Sequence, residues 1–269
     1  MEHPKHILSR NGISPKRSLG QNFISDEQIL ARIVEAADLQ SEDSVLEIGP
    51  GLGSLTRLLA GQSKRVVAVE IDDRLIPLLS REVVAQEHVE IVHADILETD
   101  PVRYFPGPYK AVGNVPYYIT GAILRHLLSA ARRPDITVLT VQREVADRIV
   151  AQPNGMSLLS VMVQFYAEAE KLFVIKAGSF WPKPDVDSAV VRLRCHPTTL
   201  VPDHEFSAFF KLVKIGFSQK RKQLQKNLRA LGLPRSRLKE AFEQSGIEGR
   251  RRAQSLTVEE WFSLYQALL

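Results

Sequence analysis

The chain has 269 residues, 44% of them apolar and 25% charged, with a formal net charge of +4. That length allows one large domain or a domain with a smaller companion, and it can bury a core without covalent staples. A single cysteine, Cys195, excludes an internal disulfide framework, and the absence of any stretch near the ~20 apolar residues that span a bilayer argues against a membrane protein.

Residues 1–17 carry Lys5, Arg10, Lys16 and Arg17, show no periodicity and no apolar leader core, and are expected to form a mobile arm. Asp26 can cap a helix in which Ile29, Leu30, Ile33, Val34 and Ala37 recur at helical spacing. Apolar runs then alternate with helical patterns: strands are predicted at 44–48, 65–69, 89–92, 110–113 and 136–141, and a closing hairpin at 172–175 and 188–193. Such alternation implies a parallel α/β sheet covered on both faces. After Cys195, Pro197 and Pro202 mark a break. Beyond it only helical patterns remain, at 205–217, 220–231, 235–245 and 258–268. A boundary is therefore placed between a domain of residues 1–195 and a helical domain of residues 196–269. The latter holds 13 Lys and Arg against 7 Asp and Glu, so the positive charge of the chain is concentrated there. That asymmetry fits a polyanionic partner, and equally a solvated helical surface.

Glu47-Ile48-Gly49-Pro50-Gly51-Leu52-Gly53 follows the first full strand and opens a helix. Glycines there let the backbone pass close to a ligand at the carboxyl end of the strand. Nucleotide cofactors use such loops too, but the dinucleotide fingerprint calls for Gly or Ala where this chain has Ser54. Glu47 would be awkward beside a pyrophosphate, and suits a cationic sulfonium ligand that also carries an ammonium group. Glu70 ends the next strand, about 20 residues on, where an acid accepts from ribose hydroxyls. Asp95, in His93-Ala94-Asp95-Ile96, can accept from an adenine amine while the Ile96 N–H reads a ring nitrogen. A lone Asp at a strand end caps a helix as readily. Three acids at three successive strand ends weigh toward a ligand.

Asn114-Val115-Pro116-Tyr117 follows the fourth strand. An adenine exocyclic nitrogen is a poor nucleophile because its lone pair is delocalised into the ring. The Asn114 oxygen and the Val115 carbonyl, held by Pro116, can accept its two N–H groups and aim that lone pair at a methyl group. Tyr117 offers a face for a flipped base. In isolation the same tetrapeptide is more often an ordinary turn. Phe180-Trp181-Pro182-Lys183-Pro184 can supply the opposite wall of a base pocket, or simply pack a loop onto the sheet. Cys195 reads as a small packed hydrophobe and Met156 and Met162 as core filler. The seven histidines lack metal-ligand spacing, so no metal is expected.

Taken together, these segments resemble the bacterial small-subunit ribosomal RNA adenine dimethyltransferases, the kasugamycin-sensitivity family. The likeness is carried by Lys16-Arg17-Ser18-Leu19-Gly20-Gln21-Asn22-Phe23, the loop from Glu47 to Gly53, Glu70, Asp95 and Asn114 to Tyr117. It continues through Arg143-Glu144-Val145-Ala146-Asp147-Arg148, Phe180 to Val190, and Gly216-Phe217-Ser218-Gln219-Lys220-Arg221-Lys222. It implies a Rossmann-like, seven-stranded class I methyltransferase sheet with helices on both faces and a small all-α C-terminal domain. It implies S-adenosylmethionine as cofactor, held by Asn22, the backbone of Ile24, Gly49, Gly51, Glu70, Asp95 and Asn114, and a target adenine held by Asn114, Tyr117 and Phe180. It further implies dimethylation of two adjacent adenines near the 3′ end of 16S rRNA. The expected setting is a cytoplasmic monomer that meets the immature small subunit and has a role in its biogenesis, with residues 196–269 docking on RNA. Two departures stand out. Val115 replaces the usual Leu, and the usual Tyr-Gly pair is missing near Asn154-Gly155-Met156-Ser157-Leu158. The alternatives are a large-subunit adenine methyltransferase, a small-molecule methyltransferase, and an assembly factor whose catalysis is secondary. The segment from Phe217 to Lys222, the basic helical region and the Asn114 motif favour the small-subunit enzyme over the first two.

Overall fold

In the computed structural model, which describes residues 1–269, helix α1 (Pro4–Arg10), strand β1 (Phe23–Ile24) and helix α2 (Glu27–Ala36) come first. Then follow β2 (Ser44–Ile48), α3 (Ser54–Ala60), β3 (Arg65–Glu70), α4 (Ile76–Glu82), β4 (Val89–His93), β5 (Lys110–Asn114), α5 (Thr120–Leu128), β6 (Ile136–Gln142), α6 (Arg143–Ile149) and α7 (Leu158–Tyr166). Strands β7 (Ala167–Ile175), β8 (Phe180–Trp181) and β9 (Ser188–Cys195) precede α8 (Phe206–Gly216), α9 (Leu224–Asn227), α10 (Arg235–Gln244) and α11 (Val258–Leu268).

Seven strands form one sheet in the order β4-β3-β2-β5-β6-β9-β7. The first five are parallel, and β9 runs antiparallel to β6. Strands β2, β3, β5 and β6 are buried along almost their whole length, as expected of strands covered on both faces, whereas the two edges, β4 and β7, are not. The chain leaves β2 toward β3 on one side and returns to β5 on the other. The carboxyl ends of β2 and β5 therefore flank the point where strand order reverses, and a crevice opens there. The fold is the expected seven-stranded methyltransferase sheet with a helical C-terminal region.

The chain divides into two compact units. One comprises Met1–Ala146 and Ala169–Cys195, the other Asp147–Glu168 and His196–Leu269. The segment Asp147–Glu168 thus groups with the C-terminal helices, not with the sheet domain to which sequence order would assign it. The reason is aromatic packing: Phe165 and Tyr166 of α7 lie against Phe206, Phe209 and Phe210 with ring centroids 4.9–5.8 Å apart.

Within the first unit the N-terminal arm is not free. His3 caps α1, Pro4 starts it, and Leu8 is fully buried against Leu52 and Leu75. Two apolar neighbours, Ile7 and Ile13, join that cluster and make the arm a packed element. Met156 and Met162 are buried as expected, and burial pushes the Cys195 thiol up to about 11, so it stays protonated and inert at neutral pH.

In the second unit the helical pattern expected over 220–231 is interrupted at its start. Lys220, Arg221 and Lys222 lie in an exposed turn, not on a helix, because helical backbone resumes only after Gln223, which is extended (φ −64°, ψ 144°). They therefore do not share one helical face with Lys226 and Arg229. The turn is held from beneath by Asn227, whose Nδ2 donates to the carbonyls of Gly216 (2.6 Å) and Gln219 (3.1 Å). Arg251 is not a free surface charge either: it forks onto Glu260 and bonds Ser255. Arg250 and Arg252 remain exposed. The loop lacking Tyr-Gly has its own anchor, since Gln254 O accepts from Asn154 N (2.8 Å) and Met156 N (3.2 Å), and Ser157 and Ser160 cap α7 reciprocally.

Candidate active site

A cavity of about 280 Å³ opens at the strand-order reversal. All seven cofactor candidates, Asn22, Ile24, Gly49, Gly51, Glu70, Asp95 and Asn114, line it. The glycine loop is shaped by its backbone: Gly49, Gly51 and Gly53 have φ of +68°, +59° and +85°. A Cβ on Gly51 would stand 3.0 Å from the Phe23 ring, and one on Gly53 2.9 Å from Leu79, so only glycine allows the loop to lie between the arm and α4.

The charged side chains lining the cavity are all acidic: Glu47, Glu70 and Asp95, with no Lys or Arg. Glu70 accepts from Gly51 N–H and Asp72 N–H, both at 2.9 Å, and burial raises its pKa. Asp95 Oδ1 accepts from Leu97 N–H at 2.8 Å, which fixes the side chain and leaves Oδ2 for a ligand. Glu47 is 1% exposed, and neither carboxylate oxygen has a hydrogen-bond partner. Burial pushes its pKa to about 8, the Glu70 charge adds to this, and the nearby Thr56 hydroxyl offsets only a part. A pair of unmatched buried acceptors facing a cavity fits a cationic ligand and opposes a pyrophosphate.

Asn114 ends β5, and its Nδ2 donates to the Asn22 carbonyl at 2.7 Å. The opposite amide rotamer would set oxygen against oxygen, so the side-chain Oδ1 is the atom left to accept from a ligand. Tyr117 and Phe180 are not in the cavity lining. Tyr117 is half-buried, its hydroxyl 2.6 Å from Ser188 Oγ, which anchors the ring from the far end of the motif. Phe180 is 3% exposed, pairs with Ile24 across the β1–β8 ladder and belongs to the apolar core cluster. The aromatics that do line the cavity are Phe23, from the arm, and Tyr118, 64% exposed.

Comparison with known proteins agrees with this geometry. The sequence pattern described as "Ribosomal RNA adenine dimethylase" matches residues 12–269. The chain belongs to the ribosomal RNA adenine dimethylase family. Its curated relatives include the ribosomal RNA small subunit methyltransferase A of Dehalococcoides mccartyi, 39% identical over 97% of this chain and 91% of that protein. The protein of the same name from Enterococcus faecalis is 40% identical over 98% and 94%. Among solved structures, the 23S rRNA methyltransferase ErmE superposes with a TM-score of 0.74 at 32% identity, covering 91% of this chain and 99% of that one. A dimethyladenosine transferase from Plasmodium falciparum superposes with a TM-score of 0.79 at 26% identity over 89% and 94%. Transfer of methyl groups to adenines of ribosomal RNA is thus the activity of this chain, with S-adenosylmethionine as methyl donor.

Sequence reasoning missed several lining residues of this dimethylase. Ile71, 48% exposed, stands next to Glu70 at the cavity. An apolar residue directly after the acid that ends a strand is a readable signal for a cavity-lining position. Tyr118 was overshadowed by its neighbour Tyr117. Gln21 carried no chemical signature of its own, and only its position in the folded arm brings it to the cavity.

Proposed function

We propose that the protein dimethylates the exocyclic amines of two adjacent adenines near the 3′ end of small-subunit (16S) rRNA. The observation that carries this is the conjunction of an all-acidic cofactor cavity with an Asn114 oxygen freed to accept, in a chain whose relatives bear small-subunit names. S-adenosylmethionine, when bound, supplies a methyl group on a cationic sulfur. Glu70 takes the ribose hydroxyls, Asp95 and the Ile96 N–H take the adenine ring, and Glu47 compensates the ligand's positive charge. Asn114 Oδ1 and the Val115 carbonyl accept from the target amine, so that the lone pair is already aimed before charge develops. Tyr117, half-buried and fixed by Ser188, is the wall for the flipped base; Phe180, 3% exposed in the core, would have to be uncovered to stack on it. On this reading the unit that holds the sheet is the catalytic domain and the helical unit docks on RNA. The protein works as a cytoplasmic monomer on the immature small subunit, with a role in its biogenesis. No helix is long and apolar enough to cross a membrane.

Mass spectrometry of ribosomal RNA incubated with the protein and labelled S-adenosylmethionine tests the assignment. The expected result is dimethyladenosine in small-subunit RNA. Label in large-subunit RNA alone would shift the assignment to the ErmE-like reaction, which the 32% identity to that enzyme keeps as the second reading.

Docking has its own test. Lys211 and Lys214 on α8 and the turn Lys220-Arg221-Lys222 are exposed cations of one unit, and each phosphate contact releases counterions. Neutralising Lys220, Arg221 and Lys222 together is expected to weaken binding to immature small subunits and to flatten its salt dependence, while cofactor affinity stays the same. A salt slope equal to the parent's would reduce the turn to a solubilising surface.

A further inference from the structure

We propose that Gln21, Asp72 and Arg74 are positioning residues for methyl transfer: they fix the segment 16–23 so that its Asn22 carbonyl holds Asn114 in the orientation that presents an oxygen to the target amine. The inference rests on the reading of Asn114 given above. It starts from an anomaly in the sheet domain. Asp72, two residues past the ribose acid, has a fully buried side chain outside the cavity lining. Arg74 closes a fork over it (Nε to Oδ1 2.8 Å, Nη2 to Oδ2 2.6 Å), and Lys16 Nζ lies 3.5 Å from Oδ1. These contacts, the Arg74 hydrogen bonds foremost, hold the carboxyl well below the usual carboxylate range.

The carboxylate does more than pair with its neighbour. Its Oδ2 accepts from Gln21 Nε2 at 2.7 Å, and Gln21 Oε1 in turn accepts from Lys16 N at 2.7 Å. Arg74 Nη1 reaches the Ser14 carbonyl at 3.1 Å. Three points of the arm, Ser14, Lys16 and Gln21, are thereby tied to one buried ion pair. The next residue, Asn22, gives its carbonyl to Asn114 and its own amide to Gly20 O at 3.1 Å. Beyond β1 the segment is closed by Ser25, whose N–H and hydroxyl both donate to the Ser179 carbonyl. An unbroken path runs from Asp72 through Gln21 and Asn22 to the Asn114 amide.

Burying a carboxylate is a costly way merely to glue down a surface segment, since an apolar contact would hold it with less desolvation. What directional hydrogen bonds add is a defined placement of the Asn22 carbonyl. Without it the Asn114 amide can rotate, and an N–H then faces the amine in place of an oxygen. Small misplacements of reacting groups cost large factors in rate.

The test is Gln21→Met, which keeps the length of the side chain and removes both of its hydrogen bonds, examined alone and combined with Asn114→Ala. Single-turnover methylation at saturating S-adenosylmethionine is expected to fall about 10-fold in the single variant, with little change in melting temperature. In the Asn114→Ala background the same substitution should have no further effect, because the group it positions is gone. Arg74→Lys keeps the charge but cannot span Asp72 and Ser14, and should reproduce part of the loss with the same dependence on Asn114. Two results overturn the inference: a loss confined to the KM for S-adenosylmethionine, or a loss of equal size whether or not Asn114 is present. If Asn114→Ala itself turns over normally, the reading of Asn114 falls first, and that outcome is visible in the single variant without Gln21 being touched.

Discussion

Replacing Asn114 by Ala is expected to slow methyl transfer by about 100-fold or more at saturating cofactor, the scale of losing one preorganised polar contact in a transition state. The amine of adenine has no proton that a strong base must remove before attack. Its deficit is a lone pair shared with the ring, and the help it needs is a set of acceptors already in place. Asn114 meets this with an oxygen whose direction is set by a 2.7 Å bond from its own Nδ2 to Asn22 O. Asn114→Asp makes the point independently: it keeps an oxygen at the position but turns the anchoring donor into an acceptor facing a carbonyl, so it should be impaired as well. Rapid-quench measurement of methyl transfer to small-subunit RNA reads both variants, and wild-type rates in Asn114→Ala would remove the lone-pair argument.

Glu47→Gln is expected to stabilise the fold in a pH-dependent way while weakening the methyl donor's binding. The pKa of Glu47 lies at about 8 in the folded protein against an ordinary 4.5. Below pH 4.5 both folded and unfolded chains hold the proton, and the residue costs nothing. Between 4.5 and 8 the unfolded chain ionises first, folding must take up a proton, and stability falls as pH rises. Above 8 the penalty is complete. Each tenfold change in proton affinity is worth about 1.4 kcal/mol, so the Gln variant should gain on the order of 4 kcal/mol at about pH 7.5 and almost nothing at about pH 4.5. Denaturant titrations of both proteins at the two pH values measure this. Calorimetry should show weaker S-adenosylmethionine binding by the variant, because an amide cannot answer a cation. The site thus stores instability in the free protein that the ligand relieves. A stability difference that is the same at both pH values would show Glu47 to be ionised, or neutral, throughout.

What was legible in the sequence is what local chemistry controls. Strands buried on both faces read as continuous apolar runs, so β2, β3, β5 and β6 stand out. The closing strand β7 is legible only at 172–175 although it begins at Ala167, because an edge strand need bury little: Glu168, Glu170 and Lys171 interrupt the apolar pattern. Glu47, Glu70, Asp95 and Asn114 are recognisable because a parallel sheet delivers every strand's carboxyl end to one side. Their types and positions along the chain therefore bring all four to one cavity. Tertiary structure decided everything that depends on residues far apart in sequence meeting in space. Leu8 finds Leu52 and Leu75 and turns a polar-looking arm into a packed wall. Gln21 meets Asp72 across 51 positions, a pairing with no periodicity to announce it. The Lys220 turn leaves the helix that composition favours because Gln223 is extended and Asn227 holds the carbonyls of Gly216 and Gln219. Periodicity reports which face of an element is apolar. It carries no information about which distant polar partner a side chain will meet, and the Asn22 carbonyl that fixes the Asn114 amide from 92 positions away is such a partner.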